Sequence, residues 1–165
     1  MADSKHPGGL VLIELITVIV LVGIIASFTT FFIYSGIEGY LSTKNTNEGA
    51  LNAQMALDRI SLELRELDYF TSYSENSTLT FTSRVLAGTR KLSYSSDAIW
   101  ISIGAEDYKL LEKIEAGSFV LAKEARDLNH DGSDEIAYFE VGFRLNDIGT
   151  EFNTKIFPRH MVDDN

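Results

Sequence analysis

Between Leu10 and Tyr34 the chain carries one formal charge, the carboxylate of Glu14. The rest of that stretch is Leu, Ile, Val, Phe and small residues, and a Gly8-Gly9 pair stands just ahead of it. As a helix, a run of about 25 residues reaches roughly 37 Å, enough to cross a bilayer core of about 30 Å. An acid in such a segment is expensive. It costs about 2.5–3.5 kcal/mol at the helix centre on insertion scales and less toward the end. A carboxylate kept there asks for a cation, and the nearest candidate is the α-amine that a cut after Gly9 would create.

The flanks do not suit a secretory signal peptide. The tail Met1 to Gly9 is short and polar, with Lys5 and His6. The apolar run is too long for a signal core, and no small-x-small site comes after it. Lys5 precedes the run and Glu38 is the first charge after it, which predicts a cytoplasmic N-terminus.

The segment Gly9-Leu10-Val11-Leu12-Ile13-Glu14-Leu15-Ile16-Thr17-Val18-Ile19 resembles the N-terminal signature of type IV prepilins and type II secretion pseudopilins. That signature is a Gly, then Phe-Thr-Leu-Ile-Glu-Leu or a close variant, then an apolar helix; Gly23-Ile24-Ile25-Ala26 also fits its pattern. Leu10 stands where the family usually has Phe, and Val11 where it usually has Thr. The resemblance implies a leader over residues 1–9, cut by a prepilin peptidase between Gly9 and Leu10, with N-methylation of Leu10. It implies that Glu14 pairs with the N-terminal amine of a neighbouring subunit, and that an inner-membrane assembly platform extracts the subunit into a filament. The implied organisation is a leader at 1–9, a transmembrane or filament-core helix at 10–34, and an extracytoplasmic domain at 35–165, in a single-pass protein of the inner membrane. No Pro falls in the apolar run, so no Pro kink is expected. The rival reading is a bitopic membrane protein whose external domain binds calcium or another ligand.

Ser35 to Gly49 is polar and holds Gly36, Gly39 and Gly49, which predicts a weak or bendable helix, since each interior Gly costs about 1 kcal/mol against Ala. A second, amphipathic helix is expected from Ala50 to Asp68. Ala50, Ala53, Leu57, Ile60, Leu64 and Leu67 form one stripe, with Arg59, Glu63 and Glu66 toward the other face. Its segment Met55 to Arg65 also resembles the helix of minor pseudopilins of the J type. Beyond it the period changes to two. Strands are expected at Ser77–Ser83, Lys91–Ser95, Ala98–Ile103, Tyr108–Ile114, Phe119–Ala122 and Glu135–Leu145, with turns at Gly88, Gly104, Gly117 and Gly132. One helix followed by sequential strands predicts an α+β fold, an antiparallel sheet packed on the helix. The resemblance implies the same layout, a pilin-like fold.

The formal net charge of -10 argues against nucleic acid as a partner, which needs clustered Lys and Arg. The chain has no cysteine, which removes disulfides, thiolate catalysis and Cys–zinc sites. Asp127-Leu128-Asn129-His130-Asp131-Gly132-Ser133-Asp134-Glu135 reads D-x-N-x-D-G, the opening of a calcium loop, with Gly132 for the sharp turn. Asp127, Asn129, Asp131, Ser133 and Glu135 are the expected ligands of a structural Ca2+. Position twelve of the pattern is Tyr138 rather than a bidentate Glu, so this is not an EF-hand. An Asx-rich turn that binds nothing has the same composition. The three histidines are scattered, and no nucleophile elbow, P-loop, His-Glu-x-x-His or dinucleotide fingerprint occurs, so no enzymatic activity is expected.

Overall fold

The computed structural model describes residues 8–164, with side chains from Leu12 onward, and divides into two compact units, residues 1–44 and 45–165. Residues 1–7 of the expected leader lie outside the described range. Gly9 and Leu10 fall on helical backbone, and nothing is described of the Leu10 side chain.

The first unit is helix throughout its described length, part of α1 (Gly8–Arg65). It is long and apolar enough to cross a membrane, and none of its most apolar stretch is buried. Between Leu12 and Ile33 fifteen large apolar side chains are more than half exposed. Covering them at about 1 kcal/mol each, a conservative share of the 1.5–3 kcal/mol for a full side chain, contributes roughly 15 kcal/mol. That matches or exceeds the whole stability of an ordinary domain; the surface is compatible with lipid or with packing against other helices. The polar groups agree. All four Ser and Thr hydroxyls of the same stretch donate one turn back: Thr17 to the Ile13 carbonyl, Ser27 to Gly23, Thr29 to Ile25 and Thr30 to Ala26, at 2.8–2.9 Å. No hydroxyl there depends on water, as an apolar solvent requires.

In the second unit the helix supplies one wall of the core through Ala53, Ala56, Leu57, Ile60 and Leu64, all at most 6% exposed. The second helix expected from Ala50 is not a separate element. Residues 35–49 are helical and run without interruption into residues 50–65. No Pro interrupts the i to i−4 ladder, and the glycine penalties are spread over a long helix. The helix also ends earlier than expected, at Arg65, because the Glu66 carbonyl accepts from Arg84 N–H (2.9 Å) and turns the chain into a strand.

That strand, β1 (Leu67–Ser74), opens a five-stranded antiparallel meander with β2 (Thr78–Ser83), β3 (Thr89–Ser95), β4 (Ala98–Ile103) and β5 (Glu106–Leu111). A second sheet of three antiparallel strands holds β6 (Val120–Arg126), β7 (Glu135–Arg144) and β8 (Glu151–Ile156). One continuous sheet is thus replaced by two. The chain between β5 and β6 makes no hairpin. The sheets meet instead at Asn76, whose N–H donates to the Leu121 carbonyl while its Oδ1 accepts from Leu121 N–H, both at 3.0 Å. Leu79 and Phe81 of β2, Leu92 of β3, Ile99 of β4, and Phe139, Val141 and Phe143 of β7 project inward onto the helix stripe.

Past β8 the chain forms a strap. Arg159 N–H caps the Arg65 carbonyl at the helix end (2.9 Å), and the Val162 carbonyl accepts from Ile136 N–H (2.8 Å). Val162 is 1% exposed, and Asp164 pairs with Lys123.

Candidate functional site

Three places in the chain concentrate charge where charge is costly. The first is Glu14, exposed on the helix among apolar neighbours. No Lys or Arg lies between Lys5 and Lys44. Lys44 is thirty residues on, about 45 Å along the axis, too far to neutralise it. Leu10 is one turn before Glu14, about 6 Å along the axis and on nearly the same face. An amine on Leu10 is therefore in register with Glu14, both for its own chain and for a neighbour shifted along the axis.

The second is the segment Asp127–Glu135, which leads into β7. Asp127 accepts through Oδ1 from Asp131 N–H and through Oδ2 from Gly132 N–H, both at 3.2 Å. Asn129 Oδ1 also accepts from Asp131 N–H (2.8 Å), and Asn129 Nδ2 donates to Asp131 Oδ2 (2.8 Å). Asp131 Oδ1 accepts from Ser133 N–H (2.8 Å). The hydrogen bond from the Ser133 backbone, then that from Asn129, hold the Asp131 carboxyl below the ordinary carboxylate value. His130 and Gly132 take φ of 64° and 93°, a left-handed turn that suits a Gly at 132. Glu135 has the same strand parity as Phe139 and points inward. It is 1% exposed, and its Oε2 accepts from Leu128 N–H (2.8 Å), closing the base of the loop.

Asp127, Asn129 and Asp131 are thus brought together, Ser133 contributes its N–H, and Glu135 lies beneath. Among the described residues no three His, Cys, Asp or Glu side chains stand close enough together to hold a metal. The donors are hard oxygens, each with a lone pair left beside its N–H bond, which suits Ca2+ rather than a softer metal.

The third place departs from the sequence expectation, which sets Glu63 on the solvent face of the helix; the residue is 3% exposed. Its Oε2 lies 2.6 Å from Nε of Arg90, itself 4% exposed, and its Oε1 lies 2.6 Å from Nη2 of Arg59. Arg90 Nη1 also donates to the carbonyls of Leu86, Ala87 and Gly88 at 3.2–3.4 Å. Helical spacing in fact sets Glu63 beside the stripe, three residues after Ile60 and seven after Ala56. Its charge alone suggests the solvent face, and the partner that lets it stay buried lies on β3. A signal is present all the same: Arg90 has the inward parity of Leu92 and Tyr94 on its strand, and an inward arginine needs a buried acid.

No protein-family model, curated protein or solved structure matches this chain. The reading of function rests on the residues themselves.

Proposed function

We propose that this chain is a subunit of a membrane-assembled filament, of the type IV pilin or type II secretion pseudopilin kind. The observation that carries the reading is Glu14, a lone acid on a bare apolar helix with no cation in reach except at the N-terminal end of that helix. Cleavage between Gly9 and Leu10 by a prepilin peptidase supplies an amine one turn away. A neighbouring subunit's amine on Glu14 removes an uncompensated charge from an apolar setting, worth about 3–5 kcal/mol, and so fixes the register between subunits. The roughly 15 kcal/mol of apolar surface keeps the helix out of water, first in the bilayer and then in a bundle of like helices, so the step between the two is decided by packing and by the Glu14 pairing. The subunit waits in the inner membrane with its N-terminus in the cytoplasm until an assembly platform extracts it. Sequencing the N-terminus of the chain isolated from membranes tests this. A mature start at Leu10 is the expected result. A start near Met1 overturns it in favour of a bitopic ligand-binding protein. Within the same reading, the Asp127–Glu135 loop takes a structural Ca2+ through Asp127, Asn129 and Asp131, which rigidifies the entry to β7 and performs no chemistry.

A further inference from the structure

The β2–β3 turn, residues 84–88, presents Val85 and Leu86 to solvent at 69% and 45% exposure. Three sets of hydrogen bonds anchor this turn. Ser83 Oγ accepts from the N–H groups of Val85 (3.4 Å) and Leu86 (3.3 Å). Arg90 binds the three carbonyls of residues 86–88 from below and is anchored on buried Glu63. Arg84 N–H is tied to the helix end at Glu66. A buried ion pair is seldom the cheapest way to stabilise a core. Spent here, it fixes the shape of an exposed apolar knob, and a knob ordered in advance loses little entropy on docking.

The same unit has a cleft of about 580 Å³ between the helix and the outer strands. Leu110, Leu111, Leu145 and Ile148 give it an apolar floor, and Asn52 forms part of the helix wall. Carboxylates of Glu48, Glu112 and Asp147 line it against the two ammonium groups of Lys109 and Lys113. The Lys109–Glu112 and Lys113–Asp147 pairs are exposed on both sides, so they reorganise at small cost. The knob carries Arg84, which forms no ion pair among the described residues. The cleft lies beside Glu48 and Asn52, while the knob is bonded to the helix end past Arg65. The two are therefore about 25 Å apart along the helix axis, at opposite ends of this unit.

We infer that the occupant of the cleft is the Arg84–Val85–Leu86 knob of a second copy of this chain. The aliphatic pair covers the leucine floor and the guanidinium meets the acids of the rim. A contact between two different patches is heterologous, and with the patches at opposite poles it repeats head to tail instead of closing a two-fold dimer. This deepens the filament reading and rests on it, because it gives the external domain its own axial joint in addition to the helical spine.

The chain has no native cysteine, which makes the test clean. The full chain carrying V85C and N52C together, both at exposed positions, is oxidised in membranes that support assembly. A ladder of dimers, trimers and higher species is expected, with each single variant staying monomeric. Adding R84E to the double variant cuts the ladder several-fold. A second double variant, I16C with V20C, reports on the helical spine. Cross-linking of the spine with none at 85–52 overturns the joint and leaves the filament reading standing. Failure of both overturns both. Dimers from either single variant mean a symmetric contact, and an adduct with a different protein means another partner; each refutes the proposal.

Discussion

Removing one half of the Glu63–Arg90 pair leaves the other half as an uncompensated charge in a site at most 4% exposed. Breaking a buried pair in this way costs about 3–5 kcal/mol. Unfolding a domain of about 120 residues releases roughly 0.25 kcal/mol/K, so that loss lowers Tm by about 12–20 °C. R90M is the more informative single variant. It keeps Glu63 in contact with half-exposed Arg59 and frees the carbonyls of residues 86–88 for water, so its loss falls at the low end. E63Q keeps the shape but leaves the buried Arg90 guanidinium with neutral acceptors only, those carbonyls and the Gln amide oxygen, so its loss falls at the high end. The double variant E63M/R90M removes both charges and fills the space, and recovers to within about 1.5 kcal/mol of the parent. The assay is urea unfolding of the full chain in detergent, followed by near-ultraviolet circular dichroism and read as a double-mutant cycle. Single losses under about 1 kcal/mol, or a double variant as unstable as the sum of the singles, would refute the reasoning.

The strap makes V162D destabilising by about 3 kcal/mol, because a carboxylate enters a site that is 1% exposed. Amide exchange at Ile136, whose N–H the Val162 carbonyl accepts, rises with it; an unchanged Ile136 would contradict the strap's role. Asp131 gives a pH signature. Its folded value is lowered from the ordinary 3.8, so its support of the loop is complete above that value and fades as pH falls through the lowered one. In D131N, exchange at the Ser133 amide loses that acid dependence. Titration of the full chain with Ca2+ in a calorimeter yields heat that D131N abolishes; absence of heat in the parent removes the ion from the account.

Much of the fold could be read from residue order, and what escaped has physical causes. Ala98–Ile103 is a strand with the expected bounds, because its isoleucines alternate without interruption. The core stripe of the helix is right at Ala53, Leu57, Ile60 and Leu64, while Leu67 is buried as expected but from β1. β1 escaped because bulges near Asp68 and Thr71 destroy its alternation. β8 does alternate, with Phe152, Thr154 and Ile156 on one side, but half its residues are polar and exposed. The split into two sheets turns on Asn76, which reads as an ordinary turn residue. Of the sites, the Asp127–Glu135 turn is local and its pattern is visible in the order of residues. The inward burial of Glu135 comes from its parity with Phe139. The Glu63–Arg90 pair joins residues 27 positions apart, and only the fold brings them together.

Glu14 decides the account. The full chain with E14A, or with the isosteric E14Q, is produced where filaments assemble, and sheared filaments are assayed for the subunit against an equal membrane pool. Near-complete loss of incorporation with both variants, while each is still cut at Gly9, is what a charge answering a neighbour's amine predicts. Incorporation of either variant at the parent level would contradict it.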